Sequence, residues 1–245
     1  MKKIVTILAI LLTAIPRLAI AETYVVAVGI ANYQNISPLT LSEDDALTIA
    51  RIYKTRTKHV ITMTGKYATK ANITKALRDQ FARAKEKDMV VFYFSGHGYE
   101  GGFCPYDMTN ANKNALSYKD IYAVFRKCKA KRKVVLADAC MAGGLRQEPD
   151  YGAPSQNDGS DVVMFLSSRT KETSLEDRSR DNSIFTDHLE RGLRGGADSN
   201  HDRLITAREL FTFVSREVKS SSNNRQHPVM WGSFDDNFIM MNWKK

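Results

Sequence analysis

Two residues with reactive side chains each follow an apolar run of the sequence. His97 lies shortly after the run 90–94, and Cys140 lies shortly after the run 134–137. A cysteine nucleophile needs thiolate character, which a nearby imidazole can supply. If both runs are neighbouring parallel strands, the two side chains meet at the carboxyl edge of one sheet. The pair therefore predicts a catalytic dyad, although either residue alone is also typical of a turn histidine or a buried small thiol.

Glycines flank both residues and have a physical use there. Gly96 and Gly98 permit a sharp turn and the close approach of a substrate backbone. The backbone N–H groups of Gly98 and Cys140 are then candidates for an oxyanion hole, which would stabilise the charge that develops on the scissile carbonyl.

The elements that must position these residues alternate between strands and helices. Several strands are continuous apolar runs, as in strands buried on both faces. The predicted strands are 23–30, 59–64, 89–94, 133–137, 161–166 and 238–241, and the predicted helices are 42–54, 69–85, 117–128, 183–193 and 206–218. Residues 98–116 are predicted to form a polar loop, and 143–160 a linker. This order predicts an α/β fold with a mostly parallel central sheet and helices on both faces.

The composition excludes a disordered or fibrous protein. The chain has 245 residues, of which 43% are hydrophobic and 26% charged, with a formal net charge of +9. Three cysteines are too few for a disulfide-dense scaffold. One large domain or two small ones would suit this length.

The first 21 residues have the pattern of a secretory signal peptide. Lys2 and Lys3 precede the apolar run 4–15, and small residues in 19–21 mark a cleavage point. The run is too short for a membrane-spanning helix. An uncleaved anchor or a buried strand is the alternative. The pattern predicts an exported protein, periplasmic or secreted, with one domain over 22–245 and no stable membrane insertion after cleavage.

The segments around His97 and Cys140 resemble the two signature segments of the caspase-like cysteine peptidases. The resemblance covers most of the chain after residue 21, with weaker similarity at 25–30, 163–169 and 183–186. It implies a caspase-type α/β/α sandwich and a cysteine endopeptidase whose substrate is a polypeptide.

Two acidic residues resemble the substrate pocket of metacaspases and related bacterial members, which cleave after Arg or Lys. Asp138, two residues before Cys140, and Asp45 match the pocket positions of that group. A carboxylate there could pair with a basic side chain at P1, the substrate residue before the cleaved bond. The alternatives are a loop carboxylate bound by backbone N–H groups for Asp138 and an acid in the first turn of a helix for Asp45.

The chain also departs from the metacaspase pattern. Residues 99–107 lack the acidic cluster that binds activating calcium in that group, so calcium activation of that type is not expected, nor is a catalytic cofactor. Self-cleavage in the linker is common in the family. Arg146 is the obvious basic residue there, but no pattern decides whether it is cut.

Residues 198–209 resemble an EF-hand calcium loop. The oxygen ligands at its alternating positions would be Asp198, Asn200, Asp202, the Leu204 carbonyl, Thr206 and Glu209. Arg203 replaces the usual Gly at the sharp turn and adds a positive charge. A weak structural site with Kd about 10⁻⁴–10⁻³ M is one interpretation, and a solvated turn entering a helix is the other.

Several other patterns bear on function. Cys104 and Cys128 could form a disulfide or remain free thiols. The basic run 126–133 has no interleaved aromatic residues and is interpreted as a solvated helix end rather than a nucleic-acid site. The first turn lacks the dinucleotide fingerprint. A catalytically weak binding or signalling module on the same fold remains the alternative to a peptidase.

Overall fold

A six-stranded sheet forms the centre of the molecule. The structure is a computed structural model that describes residues 21–99, 101–109, 113–139, 161–168 and 181–244. The order of strands across the sheet is β10-β8-β7-β3-β1-β2. Five of these strands are parallel, and β10 pairs antiparallel with β8 at one edge. The strands of this sheet are β1 (Thr23–Gly29), β2 (Val60–Thr64), β3 (Met89–Gly96), β7 (Arg132–Ala139), β8 (Asp161–Leu166) and β10 (Val229–Ser233).

The described part of the chain also contains five α-helices, a 3₁₀ helix (Gly65–Tyr67), a π-helical segment (Gly192–Gly196) and two small sheets. The helices are α1 (Ser42–Lys54), α2 (Lys70–Phe81), α3 (Tyr118–Lys127), α4 (Ile184–Arg191) and α5 (Ala207–Ser221). One small sheet contains β4 (Gly98–Tyr99), β5 (Gly102–Phe103) and β6 (Leu116–Ser117), and the other pairs β9 (Leu204–Thr206) with β11 (Ile239–Asn242).

The helices lie on both faces of the central sheet, as predicted. Along each strand, alternate side chains enter two separate hydrophobic clusters, because successive residues of a strand point to opposite faces. Val26 and Phe92 pack in the cluster with α2 and α3, whereas Val25 and Val91 pack with α1, α4 and α5. All eight residues of β3 are buried. The sheet is therefore the middle layer of an α/β/α sandwich.

The predicted bounds of α1 agree with the structure, whereas those of the other four helices differ by one to four residues at their ends. Ser42 is the first helical residue of α1, and Leu41 precedes it without a side-chain cap. The helix starts against the end of β1, where a Cβ on Gly29 would lie only 2.1 Å from the Ser42 carbonyl oxygen. Helix α2 ends at Phe81 rather than near residue 85, at its last apolar contact on that face.

The predicted polar loop and the C-terminal region contain strands that the sequence pattern did not indicate. Residues 98–117 include the three short strands β4, β5 and β6, each two residues long. β9 and β10 were also missed, whereas β8 has the predicted bounds. In the described residues, no helix has both the length and the apolar character needed to span a bilayer.

Candidate active site

The two predicted signature segments lie at the carboxyl ends of adjacent strands. β3 and β7 pair in parallel, with Gly96 opposite Ala139 in register. His97 follows Gly96 directly. Cys140 follows Ala139 directly in the sequence, but it lies outside the described residues. The central part of the spatial prediction, that β3 and β7 are neighbours, is therefore met.

Two residues of the loop between β1 and α1, Tyr33 and Ser37, hold His97. The backbone N–H of His97 donates to the Tyr33 hydroxyl at 2.7 Å, and the two rings lie 5.1 Å apart. The Nε2 atom of His97 lies 3.0 Å from the Ser37 carbonyl oxygen. Since a carbonyl oxygen only accepts, Nε2 carries the hydrogen in this pose. Nδ1 is then the ring nitrogen that can accept a proton.

Gly96 allows Tyr33 to reach the backbone of His97. Its φ of +156° disfavours other residues, and a Cβ at this position would lie 2.4 Å from the Tyr33 hydroxyl oxygen. Any larger residue would have to displace the group that accepts the His97 N–H. The glycine before the histidine thus has a definite steric role.

Gly98 begins β4 immediately after His97. It pairs with Phe103 of β5, and the Cys104 backbone N–H donates to the His97 carbonyl oxygen at 2.9 Å. These pairings fix the chain on the far side of His97. The predicted oxyanion residue therefore lies at the same sheet edge as the histidine.

The two predicted pocket acids, Asp45 and Asp138, meet behind this edge. Asp45 is on α1 and 1% exposed, and Asp138 is on β7 and 4% exposed. Ser183, the residue before α4, contacts both: its backbone N–H donates to Asp45 at 3.0 Å, and its hydroxyl donates to Asp138. Residues from three elements that are distant in sequence thus form one buried acidic cluster.

The Asp45 carboxylate accepts three hydrogen bonds. Besides Ser183, the Ser95 hydroxyl donates at 2.8 Å, and the Asn182 side-chain amide donates at 3.0 Å. Burial, followed by the charge of Asp138, raises the pKa of Asp45 to about 7, although the three donors act in the opposite direction. Asp45 lies in the first turn of α1, and its side chain is also buried and bonded across the sheet edge.

Asp138 also accepts from Thr186 of α4, at 3.1 Å. The Thr186 hydroxyl is 2.6 Å from the Tyr93 hydroxyl, and since Thr186 donates to Asp138, Tyr93 donates to Thr186. Burial and both carboxylates hold the pKa of Tyr93 well above its ordinary value. The donors to Asp138 that belong to the described residues are side-chain hydroxyls, and Asp138 itself lies in β7 rather than in a loop.

Sequence reasoning missed four residues that organise this site. Tyr33 and Ser37 gave no signal, because they act from an irregular loop and Ser37 acts through its backbone carbonyl. Ser183 was recognised only as a helix start, and Asn182 was not singled out. An Asn-Ser pair before a helix is a typical capping pattern, but only the fold brings it to the acids.

The proposed Cys104–Cys128 disulfide is absent. Both residues are buried free cysteines that pack in different hydrophobic clusters. The Cys128 thiol donates to the Phe81 carbonyl oxygen, and burial raises the pKa of Cys104 to about 12. These thiols are suited to packing rather than to chemistry.

Residues 198–209 form a tight turn between helical segments. The Asp198 carboxylate accepts the N–H groups of Asp202 and Arg203, at 3.1 and 2.9 Å. Arg203 has a φ of +65°, the left-handed conformation that Gly would adopt more readily. Leu204 begins β9, whose pairing with β11 stabilises the end of the loop.

The last predicted ligand of this loop, Glu209, serves as a helix cap. Its carboxylate accepts from the Thr206 backbone and hydroxyl and from Ser199. The residue types fit calcium, but an ion would compete with these donors for the same oxygens. In the described ranges, no three His, Cys, Asp or Glu side chains are grouped closely enough to hold a metal ion. Calcium binding therefore stays a prediction.

Comparisons with known proteins agree with this architecture. A family described as the caspase domain, peptidase C14, matches residues 22–239. Caspase-1 from Spodoptera frugiperda has a similar fold, with a TM-score of 0.67 and 15% identity over 92% of each chain. Protein GSU0716 from Geobacter sulfurreducens has a TM-score of 0.66 and 16% identity, over 91% of this chain and 98% of that one. A search of curated proteins gave no match.

Proposed function

Because the chain belongs to the caspase-domain family of cysteine peptidases, we propose that it is an exported endopeptidase that cuts after Arg or Lys through Cys140 and His97. The observation that carries this proposal is the register of β3 and β7, which pairs the residue before His97 with the residue before Cys140. One peptide unit, about 3.8 Å between Cα atoms, links each of these strand ends to its proposed catalytic residue.

In the proposed reaction, the Cys140 thiol gives its proton to Nδ1 of His97, and the thiolate attacks the scissile carbonyl carbon. The hydrogen bond from Nε2 to the Ser37 carbonyl supports the resulting imidazolium. His97 then returns the proton to the leaving amine as the C–N bond breaks. Water hydrolyses the thioester that remains on Cys140, and the N–H groups of Gly98 and Cys140 stabilise the oxyanion in both steps.

The acidic cluster supports a basic P1 residue. Asp45 and Asp138 are buried acids that Ser183 brings together at the carboxyl edge of the sheet, where the segment of His97 also lies. A guanidinium or ammonium group between them would relieve the repulsion between the two carboxylates that is present without substrate. Burial and then the negative charge of Asp138 raise the pKa of Asp45, and the same negative charge would favour a cationic substrate.

The peptidase proposal can be tested by turnover of peptide reporters with Arg, Lys or Asp at P1. The protein beginning at Glu22 should hydrolyse the Arg and Lys reporters, and Cys140→Ala should be inactive. Equal turnover by the two proteins would remove Cys140 from the mechanism. A preference for the Asp reporter would contradict the assignment of Asp45 and Asp138 to the pocket.

The alternative function, a weakly catalytic binding or signalling module, makes a different prediction for the thiol. A catalytic Cys140 should react rapidly with iodoacetamide near neutral pH and slowly in His97→Ala. A thiol that reacts equally slowly in both proteins would favour the binding module. Buried Cys104 and Cys128 should be inert in the folded protein and provide an internal reference.

Export is proposed on the pattern of residues 1–21, of which 1–20 lie outside the described residues. The family match begins at residue 22, directly after the predicted cleavage point. Sequencing the N-terminus of protein recovered from the periplasm or medium should give Glu22 first. Recovery of the intact leader, or of the protein from the cytoplasm alone, would contradict this proposal.

We also propose calcium as a structural ligand of residues 198–209. Millimolar calcium should raise the melting temperature of the protein, and Asp198→Ala should remove this response. A Kd near 1 mM gives about 1.4 kcal/mol of stabilisation at 10 mM calcium. An identical calcium response in both proteins would assign the effect to another site. Absence of any response would support the interpretation as a solvated turn.

A further inference from the structure

Ser183 occupies a special position between the two pocket acids. Its backbone N–H donates to Asp45 Oδ1 at 3.0 Å, and its hydroxyl donates to Asp138 Oδ2. The residue is 4% exposed and stands at the N-cap of α4. One residue therefore bonds the acids of two other elements to the start of a helix.

The contacts of Ser183 stabilise two carboxylates that burial and mutual repulsion would otherwise destabilise. Two buried carboxylates repel each other, and each favours the protonated form unless donors stabilise its charge. The start of α4 supplies such donors, together with the positive end of the helix dipole. A cation between the acids can bind strongly only if the carboxylates stay ionised and fixed.

We propose that Ser183 is a positioning residue for substrate recognition, which fixes Asp45 and Asp138 as one unit for a cationic P1 side chain. The inference rests on the proposed function, because it assigns a role within the P1 pocket. Ser183 acts through the two acids and takes no part in the reaction at the scissile bond.

The surrounding contacts fix each acid on its other side. Thr48 donates to the Asn182 amide oxygen at 3.2 Å, which orients the amide nitrogen toward Asp45. Tyr93 and Thr186 form the chain of hydroxyls that ends on Asp138. Within the described residues, the titratable groups facing the cluster are Asp45 from α1, Asp138 from β7 and Tyr93 from β3. Helix α4 contributes hydroxyl and backbone donors.

The sharpest variant is Ser183→Gly, because it removes the hydroxyl but keeps the backbone N–H to Asp45. Glycine is also an acceptable N-cap, so α4 should still form. Loss of a donor to the charged form raises the pKa of a carboxyl group. The acidic limb of kcat/KM for the Arg reporter should therefore move to higher pH by about one pH unit. At pH values on the acidic side of that limb, KM of the variant should be about tenfold higher than KM of the wild type, with a smaller change in kcat.

Two matched variants separate positioning from folding. Thr69 is the N-cap of α2, on the other face of the sheet, so Thr69→Gly should lower stability to a similar extent without moving the pH limb. Ser183→Thr retains a hydroxyl and should restore the wild-type limb. The pH dependence of Cys140 alkylation by iodoacetamide, a neutral reagent, should be the same in all these proteins. A Ser183→Gly protein with the wild-type limb and KM would overturn the inference.

A second measurement does not depend on peptidase activity. In the Cys140→Ala background, ¹³C NMR can follow the side-chain carboxyl carbons of Asp45 and Asp138 during a pH titration. Ser183→Gly should shift their apparent titration upward and weaken binding of an Arg-terminated peptide about tenfold. Unchanged titration and binding would refute the role of Ser183. If the upward shift occurs but no variant or wild type cleaves after Arg or Lys, the proposed function fails and the coupling by Ser183 stands.

Discussion

Buried acids lie at both ends of the central sheet, but they are held in different ways. At the amino end, Asp88 is 5% exposed, and its carboxylate accepts the backbone N–H groups of Glu22 and Lys85, at 2.8 and 2.7 Å. At the carboxyl end, Asp45 and Asp138 lie together; among the described residues, four side-chain donors and the backbone N–H of Ser183 bond to them.

The hydrogen-bond donors of these acids indicate different roles. Asp88 is bonded as a structural acid, whereas Asp45 and Asp138 are arranged as acids that could bind a ligand. Asp88 ties the chain before β1 to the turn before β3, and its donors belong to the backbone. Asp45 and Asp138 also link elements of the fold through Ser183, but two acids in one buried cluster repel each other, which offsets part of that stabilisation. Such a cluster is typical of functional sites, where like charges destabilise the fold but are complementary to a ligand.

The largest expected effect is at the carboxyl end. Asp138→Asn should lower kcat/KM for the Arg reporter by about 10²–10³-fold, because a buried cationic P1 group would lose its charged partner. The thermal stability should fall little or rise, since the repulsion with Asp45 is removed. Asp88→Asn is the matched control and should leave kcat/KM unchanged. Similar kinetic losses in both variants would indicate a general structural effect instead.

The pH dependence of stability should distinguish the two ends next. Burial and Asp138 raise the pKa of Asp45 from its ordinary value of 3.8 to about 7. The folded state then holds a proton that the unfolded state releases, so the contribution of Asp45 to stability falls as pH rises from about 4 to 7. The difference in unfolding free energy between wild type and Asp45→Asn should change on the order of 3 kcal/mol across this window.

Urea unfolding at a series of pH values measures that difference, because contributions from other groups largely cancel between the two proteins. A flat difference from pH 4 to 8 would mean that Asp45 titrates normally. The raised pKa would then belong to another carboxyl group of the cluster.

At the amino end, Asp88→Ala should cost about 2 kcal/mol of stability, since two backbone donors lose a charged acceptor. If the leader is removed after Ala21, the Glu22 nitrogen becomes an α-ammonium group, and its contact with Asp88 becomes an ion pair. The cost should then be greater in protein starting at Glu22 than in protein that keeps Ala21. Equal costs would show that processing does not strengthen this contact. Chemical denaturation of the four proteins provides the comparison.

A smaller effect concerns the placement of His97. Tyr33→Phe should lower kcat/KM about tenfold by removing the acceptor of the His97 N–H. Gly96→Ala should have a similar effect, because its Cβ would displace the same hydroxyl. The two substitutions should be strongly non-additive in the double variant. Multiplicative losses would mean that Gly96 acts by another route than Tyr33.

Much of the fold followed from apolar patterning, but its smallest elements did not. β3 and β7 are continuous apolar runs, so their burial and their polar carboxyl ends could be predicted. β4, β5 and β6 have two residues each and cannot show a periodicity. β10 was missed because it is only partly buried and contains Gly232, which adopts a φ of +137°.

The candidate site was predictable where reactive residues follow such strands. Asp45 and Asp138 were identified by resemblance, but their contact through Ser183 depends on three elements up to 138 residues apart. The Ser37 carbonyl could not be predicted, since every residue has one. Long-range register and backbone acceptors are the parts of the site that a single sequence does not encode in any local pattern.

We propose that one nucleophile, Cys140, serves a pocket for basic side chains. Covalent trapping with peptide chloromethyl ketones that end in Arg or Asp, followed by intact mass and peptide mapping, tests this proposal. We predict one adduct, on Cys140, that forms faster with the Arg reagent and is absent from Cys140→Ala. An adduct on another residue would exclude Cys140 as the nucleophile, and faster labelling by the Asp reagent would exclude a pocket for basic side chains.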